Sequence, residues 1–304
     1  MQTFIATAAS IADRWADIDG NLDKIRAAAQ RAAHEHSRLL LLPECCLTGA
    51  DWPRGQTRPP LSAVALPLDS PPVSELVRIA RQTGVIIAAG LYEKLRGRVF
   101  ITQAFAGPRG LLGAYRKVHQ GELSSREREK FPVFDLGFAR AGVSTCFDNM
   151  FPECARILAL RGAEVLLSPF ASLPLTRPAW RLERLVALRA RAQDNRLFVL
   201  SASHAEGRVQ GSPPEWGYSG ICCAINPLGE VLAESRGPTG RPQRVTVRLD
   251  ERLRRTYLLA HQPSLLARRP SAYRALADGK LQRAFLSQAP PFRYVNRSNR
   301  FTVD

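Results

Sequence analysis

The sequence predicts an α/β protein built around one domain. Three observations carry this. Short apolar runs alternate with segments whose apolar residues recur at helical spacing. Gly or Pro punctuates many of the junctions. No linker long enough to divide the 304 residues interrupts the pattern.

In chain order, residues 3–9 form a short apolar strand. Residues 21–34 form a helix with Leu22, Ile25, Ala29, Ala32 and Ala33 on one face. Residues 38–42 are a strand apolar on both faces, as expected for a sheet covered by helices. Residues 71–83 open on prolines, read as a helix, and stop at Gly84 before a strand at 85–89. Residues 99–106 and 111–115 flank Gly107-Pro108-Arg109-Gly110 as a hairpin. A strand at 141–145 leads to a helix at 152–161, with Pro152 in its first turn and Gly162 after it. A strand at 164–168, a long Arg-rich helix at 178–195 and strands at 196–201, 221–226 and 244–249 complete the pattern. The domain is expected to span residues 1–250. Residues 251–304, broken by prolines, read as a basic extension of it, at an oligomer interface or partly mobile.

Composition narrows the function classes. Hydrophobic residues are 45% and charged residues 23% of the chain, values of a folded globule rather than a disordered chain. No apolar run reaches membrane-spanning length. The N-terminus lacks a basic stretch followed by an apolar one, so a cytoplasmic protein with reduced thiols is expected. The six cysteines show no metal-site spacing, and no metal or cofactor is expected. The net charge of +16 invites a nucleic-acid reading. Yet the basic residues are 38 Arg against 5 Lys, a lopsided choice that suggests coding bias, and half of the excess lies in residues 251–304. No nucleic-acid partner is expected.

Three segments carry chemistry. Glu44 follows directly on a buried strand, where α/β sheets place their ligands; taken alone, a Glu that caps the next turn is the plainer reading. Lys117, one of few lysines, ends a hairpin strand; a surface lysine is the plain alternative. Cys146 lies between a strand and a helix, where free N–H groups favour a thiolate and can hold an oxyanion. A buried structural cysteine is equally admissible there. Cys45-Cys46, Cys154 and Cys222-Cys223 read as small hydrophobes.

Taken together, Pro43-Glu44, Arg116-Lys117-Val118-His119 and Cys146-Phe147-Asp148 followed by Phe151-Pro152-Glu153 resemble the nitrilase, or carbon–nitrogen hydrolase, superfamily. Arg161-Gly162-Ala163-Glu164, residues 190–195 and Asn226-Pro227-Leu228-Gly229-Glu230 support the resemblance. It covers roughly residues 3–275 and implies a four-layer α-β-β-α sandwich that assembles as a homodimer or larger. It implies Cys146 as nucleophile, Glu44 as general base and Lys117 as oxyanion stabiliser. It implies Glu127 as a second glutamate, four residues before Phe131, with Glu122 and Glu129 fitting less well. Gln120-Gly121 departs from the Leu usual after the histidine, which loosens the Glu127 assignment. Cys-Phe-Asp is closer to the amidase and carbamoylase branches than to true nitrilases, which usually show Trp-Glu after the cysteine.

The implied activity is cysteine-dependent hydrolysis of a small amide or N-carbamoyl compound through a thioester, releasing ammonia or an amine. Nitrile hydrolysis and a catalytically silent homologue that binds an acidic partner through its basic surface are the alternatives. Trp52, Tyr92, Phe147, Phe170 and Ala171 are the expected pocket. Arg177 or His204 could read a substrate carboxylate, or be surface charges.

Overall fold

The structure, a computed structural model, describes residues 1–50, 58–120, 130–171, 180–205, 207–208, 217–235, 241–261, 265 and 267–280. Met1–Ala260 form one compact unit and His261–Asp304 a second.

The first unit is two six-stranded mixed sheets. β1 (Phe4–Ala9), β2 (Leu39–Leu41) and β3 (Ile86–Leu95) run parallel. β4 (Arg98–Gly107) and β5 (Gly110–Arg116) extend the sheet antiparallel, and β14 (Arg244–Leu249) closes its other edge. The second sheet has parallel strands β7 (Arg140–Val143), β8 (Val165–Phe170) and β9 (Phe198–Ser203) at its centre. β6 (Val133–Asp135) flanks them on one side, and β12 (Cys223–Ile225) with β13 (Val231–Glu234) on the other. β10 (Gly207–Arg208) and β11 (Gly217–Tyr218) form a separate two-stranded ribbon.

Alternation along the strands builds the layers. Leu39 and Leu41 of β2 point into a core shared with Val165, Leu167, Phe198 and Leu200 of the second sheet. Leu40 and Leu42 point the other way, onto Leu22, Ile25, Leu76 and Ile79. Those four residues belong to α1 (Ile18–His34) and α3 (Pro71–Thr83); a short helix, α2 (Leu61–Val64), precedes α3. The outer face of the second sheet, Leu166, Val199 and Ile225, packs on Leu158 of α4 (Pro152–Leu160) and Leu188 of α5 (Val186–Asn195). The order is helix, sheet, sheet, helix, as expected from the sequence. Strands buried on both faces explain why they read as unbroken apolar runs.

Several elements differ from the sequence reading. α1 begins at Ile18 because the Asp17 carboxylate accepts the Gly20 N–H at 3.2 Å. β3 continues through Glu93 and Lys94 instead of ending at Ala89. Buried Glu93 receives both arms of the Arg116 guanidinium, at 2.7 and 2.5 Å, and the Thr102 hydroxyl at 2.8 Å. A charge that reads as a loop is thus neutralised inside a strand. The described part of the Arg-rich helix opens as a π-helical turn, Arg181–Leu185, before α5. α6 (Glu251–His261) follows β14 where a proline-broken extension was expected. β6 and β13 are edge strands too short to signal themselves.

In the second unit, Pro270–Ala277 form a 3₁₀ helix and the Arg268 guanidinium lies 5.2 Å from the Tyr273 ring centre. Among the described residues no helix is long and apolar enough to cross a membrane.

Candidate active site

Glu44, Lys117, Cys146, Ala171 and His204 all lie just past the C-terminal ends of strands, namely β2, β5, β7, β8 and β9. Each side chain is aimed by its local backbone.

Glu44 sits on a tight turn in which Cys45 takes a left-handed φ of 58°. Gly90 of β3 makes room for that turn: a Cβ there would lie 2.2 Å from the Cys45 nitrogen and 2.6 Å from the Pro43 oxygen. Both Glu44 oxygens are used. Oε1 accepts from the Lys117 ammonium at 2.8 Å, and Oε2 accepts the Ala171 N–H at 2.8 Å. Glu44 and Lys117 are 3% and 6% exposed, so the pair is desolvated. Burial alone would lower the Lys117 pKa; the charges of Glu44, then Cys146 and Asp148, outweigh it and raise it. Lys117 therefore stays an ammonium.

Cys146 opens a 3₁₀ turn, Cys146–Met150, at a left-handed φ of 49°. Such a conformation costs on the order of 1–3 kcal/mol for a residue with a side chain and has to be held by its surroundings. The Asn149 amide holds it here, donating to the Ser144 and Cys146 carbonyls at 2.7 and 3.2 Å, while the Ser168 hydroxyl donates to Asn149 at 3.0 Å. The thiolate expected at a helix N-terminus does not follow from this geometry. The thiol lies one turn ahead of α4, buried, and burial followed by the Glu44 charge pushes it up to about 11. Lys117, Arg184 and the Ala171 main chain pull the other way without winning. The resting sulfur carries its proton, so nucleophilic attack needs a base beside it.

Asp148 ties the lysine segment to the cysteine turn. Its Oδ2 accepts from the Tyr115 hydroxyl at 2.6 Å and the Thr145 N–H at 3.1 Å. Its Oδ1 accepts the His119 N–H at 2.9 Å and faces His119 Nδ1 at 2.8 Å. The His119 ring stacks on Phe151 with centres 3.7 Å apart. Residues on both sides of Lys117 are thus bonded to a residue two positions past Cys146. His119, Asp148 and Cys154 offer ligand atoms within 4.8 Å of one another. Both Asp148 oxygens are already committed to protein donors, and burial raises the Cys154 thiol, so this set fits a hydrogen-bonded hub better than a cation.

The pocket expectations divide. Phe170 is buried in one apolar cluster with Cys146, and Ala171 supplies the N–H to Glu44. Tyr92 packs with Cys45, Ala65 and Ile101, edge-on to Trp15. Phe147 is 50% exposed and stands edge-on to His119 and Phe151. Trp52, Glu122, Glu127, Glu129 and Arg177 lie outside the described residues. His204 is buried, with Nδ1 2.5 Å from Asp13 Oδ1. Gln120, the departure after His119, is buried and its side-chain oxygen accepts the Ile101 N–H of β4 at 2.7 Å, next to the last β4–β5 pair, Thr102–Arg116.

Sequence reasoning passed over Asp148 and His119 as site organisers, although both stand inside the quoted motifs. It also passed over Asp13 and Arg184, which no local pattern marks. Arg184 leaves the π-helical turn with one N–H on Met150 Sδ at 3.0 Å and its guanidinium 5.8 Å from the Phe170 ring centre.

Residues 5–256 match the family model described as carbon–nitrogen hydrolase. The chain is 33% identical over 223 residues to a nitrilase of Pyrococcus abyssi, covering 71% of this chain and 78% of that protein. It is also 33% identical over 230 residues to an omega-amidase of Xenopus laevis, with the same coverage. Saccharomyces cerevisiae Nit3, a nitrilase-superfamily structure, superposes with a TM-score of 0.70 at 23% identity, over 86% of this chain and 94% of that one.

Proposed function

The chain belongs to the carbon–nitrogen hydrolase family and hydrolyses non-peptide C–N bonds, and on that premise we propose that it is a cysteine amidase working through Cys146, Glu44 and Lys117. The observation that carries this reading is the buried Glu44–Lys117 pair, with Lys117 and Glu44 both bearing electrostatically on a protonated Cys146.

Glu44 takes the thiol proton as Sγ adds to the amide carbonyl carbon. The carbonyl π electrons move to oxygen, where the Lys117 ammonium meets the negative charge in a desolvated site. Collapse breaks the C–N bond, and Glu44 returns the proton to the departing nitrogen. Water then adds to the thioester, Glu44 accepts its proton, and the free acid leaves as the thiol re-forms. Glu127 would orient Lys117 or the leaving amine. An amide is favoured over a nitrile by Cys146-Phe147-Asp148 and by omega-amidase relatives. Phe147, Phe170, Ala171, Tyr92 and Trp52 would line the substrate pocket. The enzyme would work in the cytoplasm as a homodimer or larger assembly, with residues 251–304 packed on an acidic face of a neighbouring subunit. Size-exclusion chromatography of a chain ending at Asp250 tests that assembly, and an unchanged oligomer would count against it.

Ammonia release from a panel of small amides, N-carbamoyl amino acids and nitriles tests the activity. Wild type should turn over at least one amide, Cys146→Ala none, and iodoacetamide should label one thiol unless substrate protects it. Undiminished turnover by Cys146→Ala would end the proposal.

A further inference from the structure

Asn149 and Ser168 are polar side chains buried where their neighbours are apolar, and the mechanism above uses neither. Asn149 is 1% exposed and Ser168 is 0% exposed. Ser168 stands on β8 between Leu166 and Phe170, which share an apolar cluster with Leu158 of α4 and Leu188 of α5. An amide and a hydroxyl cost free energy in such a place unless each finds a partner.

Each does, and the partners converge on Cys146. The Ser168 hydroxyl donates to Asn149 Oδ1 at 3.0 Å. That bond fixes which way the amide faces, because its oxygen accepts and its nitrogen cannot. Nδ2 is thereby turned onto the cysteine turn, where it donates to the Ser144 carbonyl at 2.7 Å and the Cys146 carbonyl at 3.2 Å. Those two carbonyls lie on either side of the Cys146 φ torsion, which stands at a left-handed 49°. One nitrogen bonded to both holds that torsion in place. The clasp is anchored at its ends. The Ser144 N–H donates to the Leu167 carbonyl of β8 at 2.9 Å, and the Asn149 carbonyl accepts from Arg191 of α5 at 3.3 Å. A left-handed residue with a side chain persists only where its surroundings over-determine it.

We propose that Asn149, oriented by Ser168, is the positioning residue of the nucleophile: it keeps Cys146 left-handed, so that Sγ stays in register with Glu44 and Lys117. The catalytic meaning rests on the amidase reading; the conformational part is tested without a substrate.

The test uses the full chain with Asn149→Leu, Ser168→Ala and the two combined, and with Cys146→Gly placed in wild type and in the combined variant. Urea unfolding gives the unfolding constant. Ammonia release from any amide that wild type hydrolyses gives kcat and KM per folded chain. Asn149→Leu keeps the branching of the side chain but strands the Ser168 hydroxyl, so the combined variant should be the more stable of the two. A merely structural pair would regain turnover along with stability. The positioning role predicts kcat still about 10–100-fold below wild type in the combined variant, with KM within about twofold. Ser168→Ala keeps the amide but frees its orientation and should lower kcat about 3–10-fold. Wild-type kcat in the combined variant, or in Ser168→Ala where the combined variant does not fold, would overturn the proposal. Cys146→Gly reads the conformation itself, because Gly takes a left-handed φ without strain. It should be more favourable in wild type than in the combined variant, where Cys146 is free to relax, by about tenfold in the unfolding constant. Equal effects in the two backgrounds would mean that the turn holds Cys146 without Asn149 and would also overturn the proposal. Wild type inert on every amide would defeat the amidase reading, while the Gly comparison would still decide whether Asn149 sets the Cys146 conformation.

Discussion

Replacing Lys117 by Met removes one charge from a buried part of the site and keeps most of the side-chain volume. In wild type the Lys117 ammonium lies 2.8 Å from Glu44, and both groups are almost fully buried. Breaking a buried pair on one side leaves an unpaired charge and costs about 3–5 kcal/mol. The Ala171 N–H on the other Glu44 oxygen is kept, which favours the lower end, about 3 kcal/mol. On the amidase reading the same change also removes the cation proposed to meet the oxyanion, a loss of about 10²–10³ in kcat. The two effects separate in a double variant. Glu44→Gln with Lys117→Met leaves a neutral pair and should recover most of the lost stability, with no recovery of activity. Urea unfolding and ammonia release read the two quantities. Lys117→Met as stable as wild type and within tenfold of its rate would refute the reasoning.

Four further outcomes follow from the same geometry. Gly90→Ala drives a Cβ into the Cys45 and Pro43 main chain, so it should destabilise by several kcal/mol and abolish turnover, read by thermal unfolding and activity. Tyr115→Phe leaves an Asp148 oxygen short of its 2.6 Å donor; a loss of about 1–3 kcal/mol in urea unfolding and slower turnover are expected. Arg184→Met removes a charge that favours the Cys146 thiolate, so the alkylation–pH curve should move to higher pH than in wild type. The Asp13–His204 pair raises the histidine pKa in the folded state above its ordinary 6.5. Its stabilisation is fully present below pH 6.5 and is lost as pH rises through the folded value. Urea titrations across that range should show the slope in wild type and not in Asp13→Asn.

Much of this protein was legible before its fold. The α/β class follows from periodicity, because strands buried on both faces and helices buried on one leave different marks in a linear pattern. α3 was legible to the residue, since prolines open it and Gly84, at φ 71°, closes it. Glu44, Lys117 and Cys146 were legible as strand-end residues and as parts of three ordered motifs.

What tertiary structure alone decided is the state of those residues. Sequence position put Cys146 near a helix start and suggested a thiolate; burial against Phe170 and the charge of Glu44 reverse that. Glu93 looked like the end of a strand until Arg116, from two strands away, neutralised it. Asp13 and His204 are 191 residues apart and carry no shared motif. Local pattern reports which face of an element is apolar. The proton affinity of a side chain depends on desolvation and on charges a few ångströms away, which only the packing of two sheets brings together.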